Sequence, residues 1–116
     1  MNIELVRVYD VTTATQGYRV LVDRIWPRGI SKDTLALDEW CKDLAPSAGL
    51  RKWFGHDPAR WAEFRSRYLE EMRSNADTLD RLRRIASERK LVLLYSARDH
   101  EHNQAVVIRD AMTRED

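Results

Sequence analysis

Lys90-Leu91-Val92-Leu93-Leu94-Tyr95 is the stretch on which the fold turns. From Val92 to Tyr95 it is apolar without alternation, as in a strand covered on both faces, and such strands belong to parallel sheets with layers on either side. Two further segments, Ile3 to Tyr9 and Tyr18 to Ile25, are rich in β-branched and aromatic residues and also read as strands. The polar stretch Asp10 to Gly17 between them reads as a loop that orders around a ligand or partner. At roughly eight residues it is short for a parallel crossover, so an antiparallel pairing of the first two strands stays open, as does the strand order.

Helical signals fill the long interval before Lys90. Leu37, Trp40, Cys41 and Leu44 fall at i, i+3, i+4 and i+7, a stripe that Pro46 ends. Ser47 caps a short helix through Leu50, Trp53 and Phe54, with Gly55 as its stop. Asp57-Pro58 starts the longest helix, whose inner face is Trp61, Phe64, Tyr68 and Met72. Another helix begins near Asp77 with Leu79, Leu82, Ile85 and Ala86 inward. A last one carries Ala105, Ile108 and Met112, with Asp99 as its cap. The fold class is therefore α/β: one domain in a three-layer arrangement, on a small, mostly parallel sheet of about three or more strands, with a long helical insertion.

Length and composition agree with a single globular core. The chain has 116 residues, 43% hydrophobic and 34% charged, with four glycines and three prolines. Its net charge is +1, and the residues through Pro58 hold eight basic and eight acidic side chains, so a large nucleic-acid surface is disfavoured while a local basic patch remains open. Cys41 is the only cysteine, which excludes an internal disulfide and a cysteine-based structural zinc site and fits a reducing cytoplasm. No signal-peptide pattern and no apolar run of about 18 residues occurs, so a membrane association is not expected.

Two clusters can carry chemistry. The strand Tyr18 to Val22 runs into Asp23-Arg24-Ile25-Trp26-Pro27-Arg28-Gly29, a charged turn at the end of a strand, where ligands of open α/β sheets settle and paired arginines suit a carboxylate or phosphate. Ser96-Ala97-Arg98-Asp99-His100-Glu101-His102-Asn103 repeats that logic after the third strand. With Asp99 as cap, His102 sits at the third helical position, where the helix dipole favours a neutral ring able to act as a base. If the two strands are parallel neighbours, both clusters open at one sheet edge. Asp23 and His102 are then the candidate proton carriers, and Arg24, Trp26, Arg28, Ser96, Arg98 and Asn103 the candidate ligand contacts. The bland alternative has these side chains pinning loops, with His102 closing a capping box.

Other features carry less. His100 and His102 lie at i and i+2, which diverge on a helix, and His56-Asp57 would have to be brought close to add ligands, so neither a metal nor a cofactor is implied. Cys41, on the inward stripe of its helix, reads as a buried thiol rather than a nucleophile. Trp40, Trp53 and Trp61 are in phase with aliphatic neighbours on helices and read as packing, whereas Trp26 is placed to wall a pocket or stack on Arg28. The basic run Arg81, Arg83, Arg84, Arg89 and Lys90 is interleaved with Asp77, Asp80 and Glu88 and reads as a solvated face.

The ordered motifs Val8-Tyr9-Asp10, Gly17 to Gly29, Leu44-Ala45-Pro46, Leu50 to Pro58 with Trp61 and Phe64, and Leu93 to Asp99 with His102-Asn103-Gln104-Ala105 resemble the YeaO-like proteins, the bacterial domain-of-unknown-function family 488, over nearly the whole chain. The resemblance singles out Asp23, Arg24, Pro27, Arg28, Gly29, Asp57, His102 and Asn103, omits His100, and puts Arg98 where the family commonly shows lysine. It implies positions and names no substrate.

Three functions follow from these residues. The leading one is a small cytoplasmic protein with an anion-accepting pocket, extending to an enzyme acting on a phosphorylated or carboxylated small molecule, its oligomeric state open. The alternative is a non-catalytic module that meets a protein or nucleic acid through the Trp26-Pro27-Arg28 loop. The third has every charged residue tied up in caps and loop anchors.

Overall fold

A computed structural model describes residues 1–114. Leu91–Tyr95 forms a strand, β4, with all five residues buried. It lies inside a four-stranded sheet of order β1-β4-β2-β3, in which β1 is Ile3–Arg7, β2 Tyr18–Leu21 and β3 Glu39–Trp40. Every pairing is parallel, Ile3 matching Leu91, Tyr18 matching Leu91 on the other side, and Val20 matching Glu39. The antiparallel option for β1 and β2 therefore fails, because β4 separates them. Ten residues lie between Arg7 and Tyr18, and an extended chain of that length reaches about 33 Å, enough to cross one strand without an α-helix, with only a short 3-10 turn over Val8–Asp10.

The two faces of β4 feed two cores. Leu91, Leu93 and Tyr95 pack with Val20 and Val22 against the helices α2 (Ala48–Phe54), α3 (Trp61–Met72), α4 (Ala76–Glu88) and α5 (Gln104–Thr113). Val92 and Leu94 pack with Leu21, Val8 and Leu35 under a thinner layer of loops and one short helix, α1 (Lys32–Leu35). Caps explain the main helix boundaries. Ser47 accepts the Leu50 N–H, Gly55 closes α2 at φ 55°, and Asp57 caps a turn over Pro58–Arg60 that leads into α3.

Two expectations need correction. The stripe Leu37, Trp40, Cys41, Leu44 is no helix: Leu37 and Trp40 pack into one core, Cys41 and Leu44 into the other, and Glu39–Trp40 pairs with β2. The bare edge of β2 demands hydrogen-bond partners, and it finds them when Asp38 N–H donates to Arg19 O (3.0 Å) and Cys41 N–H to Leu21 O (2.9 Å). Trp40 is thus a strand residue, and Cys41, though buried, lies on no α-helix. Asp99 is likewise not the cap of α5. Asn103 is, its side-chain oxygen accepting the Val106 N–H, while Asp99 caps the preceding turn through the N–H groups of Glu101 and His102. His102 consequently precedes α5 instead of lying in its first turn.

Candidate functional site

Because β2 and β4 are parallel neighbours, the segments that follow them leave the sheet at the same edge. Val22 N–H still donates to Leu94 O (3.0 Å), and beyond that point the chains diverge around a cleft of about 910 Å³. Asp23, Arg24, Trp26, Arg28, Ser96, Arg98, His102 and Asn103 all line it.

Each wall side chain is held differently. Asp23 is 7% exposed and takes hydrogen bonds from Gln104 and Ser96. Burial raises its carboxyl above the usual range, and those hydrogen bonds together with the charge of Arg51 offset part of that rise. Its backbone carbonyl accepts the Trp40 indole N–H at 2.7 Å, tying the turn to the edge strand. Arg24 donates to the carbonyls of Ala45 (3.2 Å) and Pro46 (3.4 Å). Trp26 does not stack on Arg28; its indole N–H bonds Ile30 O at 2.7 Å and its ring meets Trp40 edge-on at 5.3 Å. Asn103 is buried as the helix cap, and its amide N–H donates to Asp99 O. Arg28 and Arg98 are exposed, and their guanidinium groups make no hydrogen bond among the described residues.

His102 Nδ1 lies 2.8 Å from Asp99 Oδ2, and its ring sits edge-on to Trp61 at 5.1 Å. The Asp99 carboxyl is held below its ordinary range, first by the Glu101 N–H and then by His102. His100 turns elsewhere, its Nδ1 2.8 Å from the Tyr95 hydroxyl. Among the described residues no three His, Cys, Asp or Glu side chains are grouped to hold a metal ion. His56 reaches the cleft wall with φ 58°, an uncommon conformation for a side chain larger than glycine.

The cleft also recruits residues that the sequence did not single out. Arg7 ends β1, bonds the carbonyls of Ser96 (3.3 Å) and Ala97 (3.0 Å), and lies over the Tyr9 ring at 4.6 Å. Arg51 comes from α2, and Gln104 opens α5. Arg7 carried a usable signal, since any residue ending a parallel strand reaches the same edge. Arg51 carried none, because a helix residue joins a strand-end site only through packing.

Five arginines, Arg7, Arg24, Arg28, Arg51 and Arg98, thus line one cleft with two aspartates, Asp23 and Asp99. Among the described residues none of these five forms an ion pair, whereas Arg60, Arg65, Arg67, Arg73, Arg81, Arg83 and Arg109 each lie within 4 Å of an acid. No helix among the described residues is long and apolar enough to cross a membrane.

A parallel sheet whose strand ends gather unpaired arginines defines a small α/β protein with a basic cleft. The family model described as "Inactive DUF488-N3 subclade" matches residues 2–115. The uncharacterised protein YeaO of Escherichia coli is 48% identical over 110 residues, covering 95% of this chain and 96% of the relative. The uncharacterised proteins Mb3100c of Mycobacterium bovis and Rv3073c of Mycobacterium tuberculosis are each 42% identical over 107 residues, 92% of this chain and 90% of theirs. The chain belongs to the YeaO-like DUF488 family. No solved structure matches it.

Proposed function

We propose that this chain binds a small phosphorylated or carboxylated molecule in the cleft at the carboxyl ends of its strands. The observation that carries the reading is the clustering of charge: seven arginines elsewhere lie within 4 Å of an acid, whereas five with no such partner among the described residues converge on the cleft. Guanidinium groups offer bidentate donors to carboxylate and phosphate, and Arg7 and Arg24 are already oriented by backbone carbonyls. In this reading Arg24, Arg28 and Arg98 contact the anion, with Ser96 and Asn103 as polar neighbours. The family model's own description, "inactive", favours binding without turnover. A cytoplasmic setting belongs to the same reading, supported by a lone buried cysteine whose thiol burial keeps protonated.

One observation favours catalysis as the second reading. Asp99 orients His102 through Nδ1, and Nε2 makes no hydrogen bond among the described residues, the arrangement of a general base. Asp23 would be its partner, a carboxyl whose pKa burial raises. The rival interaction module loses support from Trp26, whose indole is engaged inward and not offered to a partner.

Thermal unfolding of wild type and Arg28→Ala against phosphates, sugar phosphates, nucleotides and di- and tricarboxylates tests the reading. A ligand at 100 times its Kd adds about 2.7 kcal/mol. Wild type is expected to be stabilised by one class of anion, and Arg28→Ala to melt normally yet respond far less. If no anion moves the wild-type transition, the proposal fails.

A further inference from the structure

Resting on the anion-binding reading, we infer that the ligand is a nucleoside phosphate rather than a bare inorganic anion or a short carboxylic acid. The cleft's 910 Å³ is far more space than one phosphate group fills, and lies within the size range of sites for larger organic ligands. Its rim also carries exposed apolar side chains beside the exposed arginines. Among the described residues the exposed large hydrophobic side chains are Met1, Tyr9 and Ile25, and the last two line this cleft.

Ile25 is 63% exposed, directly beside Arg24 and two residues from Pro27. An apolar side chain kept in water at the edge of a basic cleft gains from any ligand surface that covers it. Tyr9 is 45% exposed but not free to swing: its hydroxyl donates to Arg28 O at 2.8 Å, and the Arg7 guanidinium lies 4.6 Å from its ring centroid. A ring fixed in this way costs little further ordering when it receives a flat partner. Planar groups, a phenol and a guanidinium, favour a planar ligand over an aliphatic one. A molecule that presents a flat ring to this rim and a phosphate to the unpaired arginines satisfies both halves of the cleft, and a nucleoside phosphate is the chemical class that carries both.

Calorimetric titration of the full chain with the four ribonucleoside 5′-monophosphates, ribose 5-phosphate and inorganic phosphate separates the halves. At least one nucleotide is expected to bind roughly tenfold or more tightly than ribose 5-phosphate, the scale of one apolar contact surface. Ile25→Ser, at an exposed position that the core does not use, should reduce that nucleotide to the ribose 5-phosphate level while leaving ribose 5-phosphate unchanged. Equal affinity for the nucleotides and ribose 5-phosphate, or full nucleotide affinity in Ile25→Ser, overturns the inference and leaves the anion reading standing. Binding by none of the phosphates also overturns it, and the anion reading falls too only if the carboxylates likewise leave the melting temperature unmoved.

Discussion

Arg19 and Asp23 are the buried ionisable side chains of β2 and the turn after it, and they are accommodated in opposite ways. The Arg19 guanidinium donates to three carbonyls, Leu35 O (2.7 Å), Thr12 O (3.1 Å) and Thr15 O (2.6 Å), and so pins the Val8–Gly17 loop and the end of α1 to the sheet. Arg19→Ala is expected to cost about 2–4 kcal/mol in chemical denaturation, with Arg19→Lys recovering little because an ammonium lacks the planar fork. A wild-type midpoint for Arg19→Ala would refute that role. Asp23 instead holds its proton more tightly in the folded state than in the unfolded one, because burial disfavours the carboxylate. Its contribution to stability is therefore complete below the unfolded carboxyl pKa and is lost as pH rises through the higher folded value. Removing the charge with Asp23→Asn should improve stability relative to wild type progressively from about pH 4 towards neutrality. Denaturation midpoints at a series of pH values check this, and a pH-independent difference would contradict it.

Gly17 shows how an element boundary is fixed. It has φ +131°, and a Cβ there would lie 2.8 Å from Lys90 O and 3.0 Å from Val92 Cγ2, where β2 begins against β4. Gly17→Ala should cost about 1–3 kcal/mol in denaturation, and an unchanged midpoint would show that the start of β2 can shift aside. At the other edge, β3 is held by Arg81 of α4, whose guanidinium meets Glu39 at 2.8 and 2.6 Å. The hydrogen bond from Arg81 keeps the Glu39 carboxyl below its ordinary range, so this tie is present above the unfolded glutamate pKa and weakens as pH falls through the lower folded one. The difference in stability between wild type and Glu39→Gln should shrink accordingly below about pH 4, measured by denaturation. What was legible at this scale follows from local chemistry. β4 announced itself by unbroken apolar residues, and α2 and α3 by Ser47, Gly55 and Asp57-Pro58, because a cap is written in adjacent residues. β3 was hidden because its two residues acquire strand character only from the open edge of β2. The helical spacing around it arose from a segment that serves two cores in turn.

Across the whole molecule, a net charge of +1 conceals an uneven distribution. On the helical layer Arg65, Arg67, Arg73, Arg81 and Arg83 each lie within 4 Å of an acid, while the strand-end cleft concentrates arginines that have no such partner among the described residues. Half of the candidate site was legible, since the strand-end rule brought Asp23, Arg24 and Arg28 together with Ser96, Arg98 and His102 once β2 and β4 became neighbours. Arg51 and Gln104 came from the docking of α2 and α5, which no local pattern encodes. The most direct measurement is a titration of the isotopically labelled protein with inorganic pyrophosphate, followed through its backbone amide resonances. Saturable shifts confined to Arg24–Gly29, Ser96–Gln104 and the start of α2, and weakened in Arg98→Ala, are the result expected of an anion-binding cleft. Shifts that are absent both with pyrophosphate and in the same titration with citrate, or that scatter over the paired arginines of α3 and α4, would contradict it.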